Sequence, residues 1–194
     1  MATTDTTGTG AAAMGITTMG AAETTLAAAG AAGVAAPADF RAAMRELAGG
    51  VTIITAAGPD GPRGLTATAV CSVSAEPPTL LVCVNRTTEG HGAIDGAGAF
   101  CVNVTATEHR DLAEHFAGRG GVRGAERFLH GRWDTLATGA PVLADALAAF
   151  DCRVIQRLDW GTHTVFLGAV AATRIAAAER PALVYRGGAF HAAG

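Results

Sequence analysis

Thr66, Thr68, Ser72 and Ser74 share one parity of a β-type stretch, so an extended chain projects their hydroxyls to one side at two-residue spacing. Leu65, Ala67, Ala69, Cys71 and Val73 take the other side. One face is polar and shallow, the other apolar and able to pack into a core. A proline-marked turn at Pro77-Pro78 and a fully apolar strand over residues 79–84 follow, and Asn85 and Arg86 close the run. This layout suits a flat, phosphorylated cofactor held against a sheet.

A chain of 194 residues is most simply one domain with a substantial core. Its net charge of −3 and its lack of a basic cluster argue against a nucleic-acid surface. Cys71, Cys83, Cys101 and Cys152 form no CxxC pair and read as reduced, inert thiols, which points to the cytoplasm. All but five of the first 36 residues are Ala, Gly, Thr or Met, and no basic residue precedes Arg41. With few large side chains to bury, residues 1–36 are expected to be a disordered tail, leaving 37–194 as the folded domain. No apolar run approaches the roughly 18 residues of a membrane span.

Phe40, Met44 and Leu47 predict a short amphipathic helix stopped by Gly49 and Gly50. A strand over 51–57, a turn over 58–62, the Thr/Ser strand to Ser74 and the strand over 79–84 read as an antiparallel meander. A helical segment at Ile94 and a strand over 99–104 come next. Thr105 with Glu108 fits a capping box for a helix carrying Leu112 and Phe116, and a Gly/Arg-rich loop covers 117–124. Two long β runs, 147–158 and 162–175, meet at an Asp159-Trp160-Gly161 corner, and a last strand covers 183–185. Six or seven strands with a few flanking helices predict a mainly β fold, a closed antiparallel β-barrel. There is no GxGxxG with its preceding strand, so a nicotinamide nucleotide would bind without a Rossmann fingerprint. Phe128, Trp133 and Trp160 read as core or interface residues. His109, His115 and His130 are assigned to solvent, and no histidine spacing suits a metal.

The run of residues 64–86 resembles the flavin reductase-like family with an FMN-binding split barrel, the reductase components of two-component flavin-dependent monooxygenases. The likeness continues through Phe100-Cys101-Val102-Asn103-Val104, Pro141-Val142-Leu143, Phe150-Asp151-Cys152, Gly161-Thr162-His163 and Tyr185-Arg186-Gly187-Gly188, and covers roughly residues 38–191. The resemblance implies that the barrel is a split barrel of Greek-key type, and that the protein is a homodimer that uses NADH or NADPH to reduce FMN or FAD, which then diffuses to a separate oxygenase. It implies that the flavin lies along residues 66–74, touching Thr66, Ala67, Thr68, Ala69, Ser72, Val73 and Ser74. Phosphate contacts map onto Asn85, Arg86, Thr87 and Thr88, with His91 as a neighbour, and the flavin edge onto Phe100 and Asn103. His163 maps onto the catalytic, nicotinamide-associated histidine, and Tyr185 and Arg186 onto a segment near the active site. The chain departs from the family pattern at Thr162, where an Asp is usual, at Ala169, where a Glu is frequent, and at Gly90, where a hydroxyl is common.

Hydride transfer between nicotinamide and flavin needs no acid, base or nucleophile from the protein, because the cofactors carry the reactive atoms. The protein has to stack the rings at roughly 3 to 3.5 Å, and small residues such as Ala67 and Ala69 permit that approach. The alternative is a flavin-binding electron carrier or sensor that keeps its flavin without turnover.

Overall fold

The computed structural model describes residues 33–194, so the tail expected over 1–36 lies almost wholly outside the described residues. Residues 36–194 form one unit. Helix α1 (Pro37–Met44) starts on a proline and carries Asp39 in its first turn, as helix starts favour. Its apolar stripe is not buried: Phe40 is 58% exposed and Met44 47%. Gly49 and Gly50 do not cap it. They form β1 (Gly49–Gly50), paired with Tyr185 and Val184, because strand pairing claimed a dipeptide that local signals mark as a stop.

The large sheet contains β2 (Thr52–Gly58), β3 (Gly61–Ala67), β4 (Val70–Ala75), β5 (Pro78–Asn85), β6 (Ala99–Val104), β9 (Ala148–Trp160) and β10 (His163–Ile175). The order is β3-β2-β6-β9-β10-β5-β4, antiparallel throughout. The expected single Thr/Ser strand is therefore two strands. Thr68 and Ala69 interrupt it, and β3 and β4 lie at opposite edges of the sheet instead of pairing in a meander. Three peptide steps join Ala67 to Val70 and span at most about 11 Å, so the two edges of a seven-stranded sheet meet at this corner. No ladder joins them among the described residues.

One core follows from that curl. Ile54, Val82, Val84, Ile94, Phe100, Val102, Cys152 and Phe166, drawn from β2, β5, β6, β9, β10 and α2 (Glu89–Ala97), pack in a single cluster. On β2 the neighbouring Ile53 turns instead to a second cluster with Leu112, Phe116 and Leu143. A continuous apolar run is what a strand buried on both faces requires. The long β9–β10 hairpin carries register shifts at Leu167/Gly168 and Val170/Ala172, which bend and twist it. Phe100 fills the space above Gly168: a Cβ there would lie 2.6 Å from Phe100 Cζ.

Helix α3 (Arg110–Phe116) follows a 3₁₀ turn over Thr107–His109. The expected capping box at Thr105 does not form, because its hydroxyl donates to Val51 O at 2.8 Å. His109 is buried rather than solvated, and its Nδ1 accepts from Ala106 N–H at 3.0 Å. Strands β7 (Trp133–Thr135) and β8 (Pro141–Leu143) form a small ribbon. Strands β11 (Ala182–Arg186) and β12 (Ala189–Ala193) form a hairpin on β1. Its two-residue turn, Gly187-Gly188, has φ of 63° and 87°, the geometry only glycine adopts without strain.

Candidate active site

The corner between β3 and β4 opens into a cleft of about 710 Å³, within the range of small-molecule sites. Four segments wall it: residues 64–69, the start of α2 with Asn85, the loop after α3, and the β11–β12 hairpin with His163. Backbones come close where side chains are missing. A Cβ on Gly64 would lie 2.6 Å from Phe116 Cε1 and 2.9 Å from Ile54 O, so β3 sits flush against α3. Leu65 occupies the space that a side chain at Gly90 would need, 2.5 Å from the added Cβ.

The hydroxyls along residues 66–74 do not act as one ladder. Thr66 Oγ1 donates to Ala113 O at 2.6 Å, which ties β3 to α3. Thr68 packs over Gly49, where a Cβ would approach its own to 2.8 Å. Ser74 Oγ accepts from Glu76 N–H at 3.1 Å. Thr66, Ala67, Thr68 and Ala69 line the cleft, but Ser72, Val73 and Ser74, past the corner on β4, do not.

At the phosphate corner, Asn85 Oδ1 accepts from Thr87 N–H at 3.0 Å and from Thr87 Oγ1 at 2.9 Å. Thr88 is the N-cap of α2, its hydroxyl accepting from His91 N–H at 3.2 Å. That leaves the N–H groups of the first two helical positions, Glu89 and Gly90, without partners inside the helix, and both residues line the cleft. The Glu89 carboxylate lies 3.7 Å from Arg63 Nε. Asn85 and Thr88 line the cleft, whereas Arg86, Thr87 and His91 do not. Arg86 turns to the β9–β10 connection and donates to Gly161 O at 3.3 Å.

His91 belongs to a separate chain of hydrogen bonds. Thr164 Oγ1 donates its one proton to Asp159 Oδ1 at 2.7 Å, so the contact with His91 Nε2 at 2.8 Å must be donated by the ring. The Thr164 hydrogen bond, helped by Arg157, holds the Asp159 carboxyl below its usual range.

His163 pairs with Asn85 across β10 and β5 and lines the cleft. Its Nδ1 is joined to Thr162 Oγ1 at 2.8 Å, so a neighbouring hydroxyl holds the ring. Tyr185 and Phe190, stacked edge to face at 5.1 Å between centroids, supply an aromatic wall. Arg186 points away and pairs with Glu46 at 2.8 Å.

Two residues expected at the flavin edge are buried and do not line the cleft. Phe100 is 0% exposed within the main core. Asn103 is also 0% exposed, with Nδ2 donating to Ile53 O at 3.0 Å and Oδ1 accepting from Leu143 N–H at 2.7 Å. Its amide joins β2, β6 and β8.

Sequence reasoning missed the arginine wall. Arg119, Arg123 and Arg127 line the cleft against one carboxylate, Glu89. Arg127 donates to Gly64 O at 3.1 Å, Phe116 O at 3.2 Å and Val122 O at 3.1 Å, fastening the loop to β3. The signal was present in the Gly/Arg-rich composition of residues 117–124, which local rules assign only to a loop. His115, assigned to solvent, has its Nδ1 buried and stacks on His130 with centroids 4.6 Å apart. Among the described residues no group of three His, Cys, Asp or Glu side chains is placed to hold a metal ion.

A curled antiparallel sheet whose edge corner presents small residues, helix-start N–H groups and a cationic wall defines a β-class protein for an anionic nucleotide. The chain belongs to the family described as flavin reductase like domain, which matches residues 44–194. It is 50% identical over 149 residues to "FMN reductase (NADH) RutF 2" of Methylorubrum extorquens, covering 76% of this chain and 84% of that protein. Among solved structures it is similar to BorF, the flavin reductase component of a bacterial two-component tryptophan halogenase. The TM-score is 0.74 at 34% identity, over 81% of this chain and 98% of that one. The NADH:FAD oxidoreductase SgcE6 of Streptomyces globisporus C-1027 gives a TM-score of 0.72 at 32% identity, over 81% and 95%.

Proposed function

We propose that this protein is an NAD(P)H:flavin oxidoreductase, with NADH as the favoured donor, that supplies reduced FMN or FAD to a separate flavin-dependent oxygenase. The observation that carries this reading is a single cleft joining the small-residue corner at 66–69 to His163 and the start of α2. The residues fit a flavin nucleotide. Ala67 and Ala69 leave room for a flat ring, the Glu89 and Gly90 N–H groups suit a phosphate at a helix start, and Tyr185 and Phe190 offer an apolar wall.

When bound, nicotinamide and flavin supply the hydride chemistry between them. The chain's part is to orient and enclose. Residues 66–69 fix the depth of the ring, Asn85 and Thr88 shape the phosphate corner, and backbone N–H groups stabilise the charge that grows on reduction. His163, held through Nδ1 by Thr162, presents its other nitrogen to the nicotinamide side. The reading extends to the remaining members of the set: Ser72, Val73, Ser74, Arg86, Thr87 and His91 act from the rim or through neighbours.

The seven-stranded sheet is read as a split barrel closed at the Thr68–Ala69 corner, supported by the one core its two edges share. A homodimer would cover the exposed apolar residues Phe40, Met44, Leu47, Val73 and Ile155. Free thiols at all four cysteines suit a reducing cytoplasm. Residues 37–194 are the catalytic domain, and reduced flavin leaves by diffusion.

A kinetic matrix of FMN and FAD against NADH and NADPH tests the function. Nucleotide oxidation that depends on added flavin is expected. Flavin that copurifies and stays inert to NADH would instead favour a carrier or sensor.

A further inference from the structure

We propose that the loop after α3 is a diphosphate subsite, with Arg123 as its ligand-facing cation, which recognises the dinucleotide part of the cofactors. This inference rests on the flavin reductase reading above. All fourteen basic residues of the chain are arginines, and four of them, Arg63, Arg119, Arg123 and Arg127, gather at this side of the cleft. Three are committed. Arg63 lies against Glu89 at 3.7 Å. Arg119 pairs with Glu114 at 3.4 Å and lies 5.9 Å over the Phe190 ring. Arg127 spends its fork on three carbonyls. Arg123 is exposed and lines the cleft, and its side chain has no hydrogen-bond or ion-pair partner among the described residues.

The loop is held in place before any ligand arrives. Arg127 anchors it to β3 and α3, the Gly118 N–H donates to His115 O at 3.0 Å, and Gly118 and Gly121, both on the cleft wall, turn the chain at φ of 85° and 77°. A mononucleotide needs one phosphate site, and the start of α2 provides it. A dinucleotide also carries a diphosphate between its two nucleosides, and a planar guanidinium fork matches those oxygens in two-pronged fashion. In a protein of net charge −3, a wall with three arginines and one carboxylate is where such an anion gains most.

Either the nicotinamide donor or FAD could bring the diphosphate, and binding measurements separate the two. Titration calorimetry with ADP-ribose and with nicotinamide mononucleotide reads the donor. Quenching of flavin fluorescence with FAD and with FMN reads the acceptor. Arg123→Gln is expected to weaken ADP-ribose, FAD or both about tenfold, consistent with loss of a charge-assisted contact, while the mononucleotides shift less than twofold. Arg123→Lys should recover part of the loss. If FMN and nicotinamide mononucleotide weaken as much as the dinucleotides, or if no ligand responds, the subsite is overturned. Wild-type protein that neither binds nor reduces flavin would instead sink the functional reading, so the two failures are distinct.

Discussion

Ala69 and His163 line the same cleft and carry different parts of the function. Ala69 lies in the two-residue break between β3 and β4, exposed and free of core contacts. Ala69→Leu is therefore expected to remove flavin-dependent NADH oxidation while leaving the melting temperature unchanged; retained turnover would mean the ring lies elsewhere. His163 is placed by strand pairing with Asn85 and by the Thr162 hydroxyl. His163→Ala should raise the KM for the nicotinamide nucleotide several-fold more than the KM for flavin. A change confined to flavin would reassign the histidine.

At the scale of elements, the site depends on strands and helices approaching without intervening side chains. Gly64 is one such contact. A methyl group there would meet Phe116 at 2.6 Å and, 2.9 Å away, the Ile54 carbonyl, which is backbone and cannot move aside. Overpacking of this kind costs typically about 1–3 kcal/mol, so Gly64→Ala should lower stability by that order in urea denaturation. It should also raise flavin KM, because α3 and the loop that Arg127 fastens to β3 would shift together. Equal stability to wild type would show that the β3–α3 contact is looser than drawn.

For the whole molecule, two buried thiols make stability depend on alkaline pH. Burial raises the Cys152 thiol from 9.0 to about 12 and raises Cys101 as well, with Asp151 adding to both. A group whose pKa is raised on folding binds its proton more tightly in the native state, so its contribution is complete below pH 9 and is lost as pH climbs toward 12. Each thiol can contribute up to about 1.4 kcal/mol of decline per pH unit in that window. The expected result is a melting temperature that falls steeply above pH 9, and less steeply in the Cys101→Ala/Cys152→Ala variant than in wild type. Parallel curves would contradict it. The strands over 99–104 and 79–84, the helix at Ile94 and the long β9–β10 hairpin were legible in the chain, because periodicity and turn residues are local properties. Asn85, Thr88, His163 and Tyr185, which the cleft gathers with residues 66–69, were legible through the family resemblance and not through local pattern. The sequence by itself determined a β protein with a small-residue stretch suited to a flat ring. Only tertiary structure decided that this stretch breaks at Thr68–Ala69, that Asn103 and Phe100 face inward, and that Arg123 and Arg127 belong to the cleft. Those outcomes depend on which strands become neighbours, and pairing between residues far apart in the chain leaves no mark in the spacing of nearby ones.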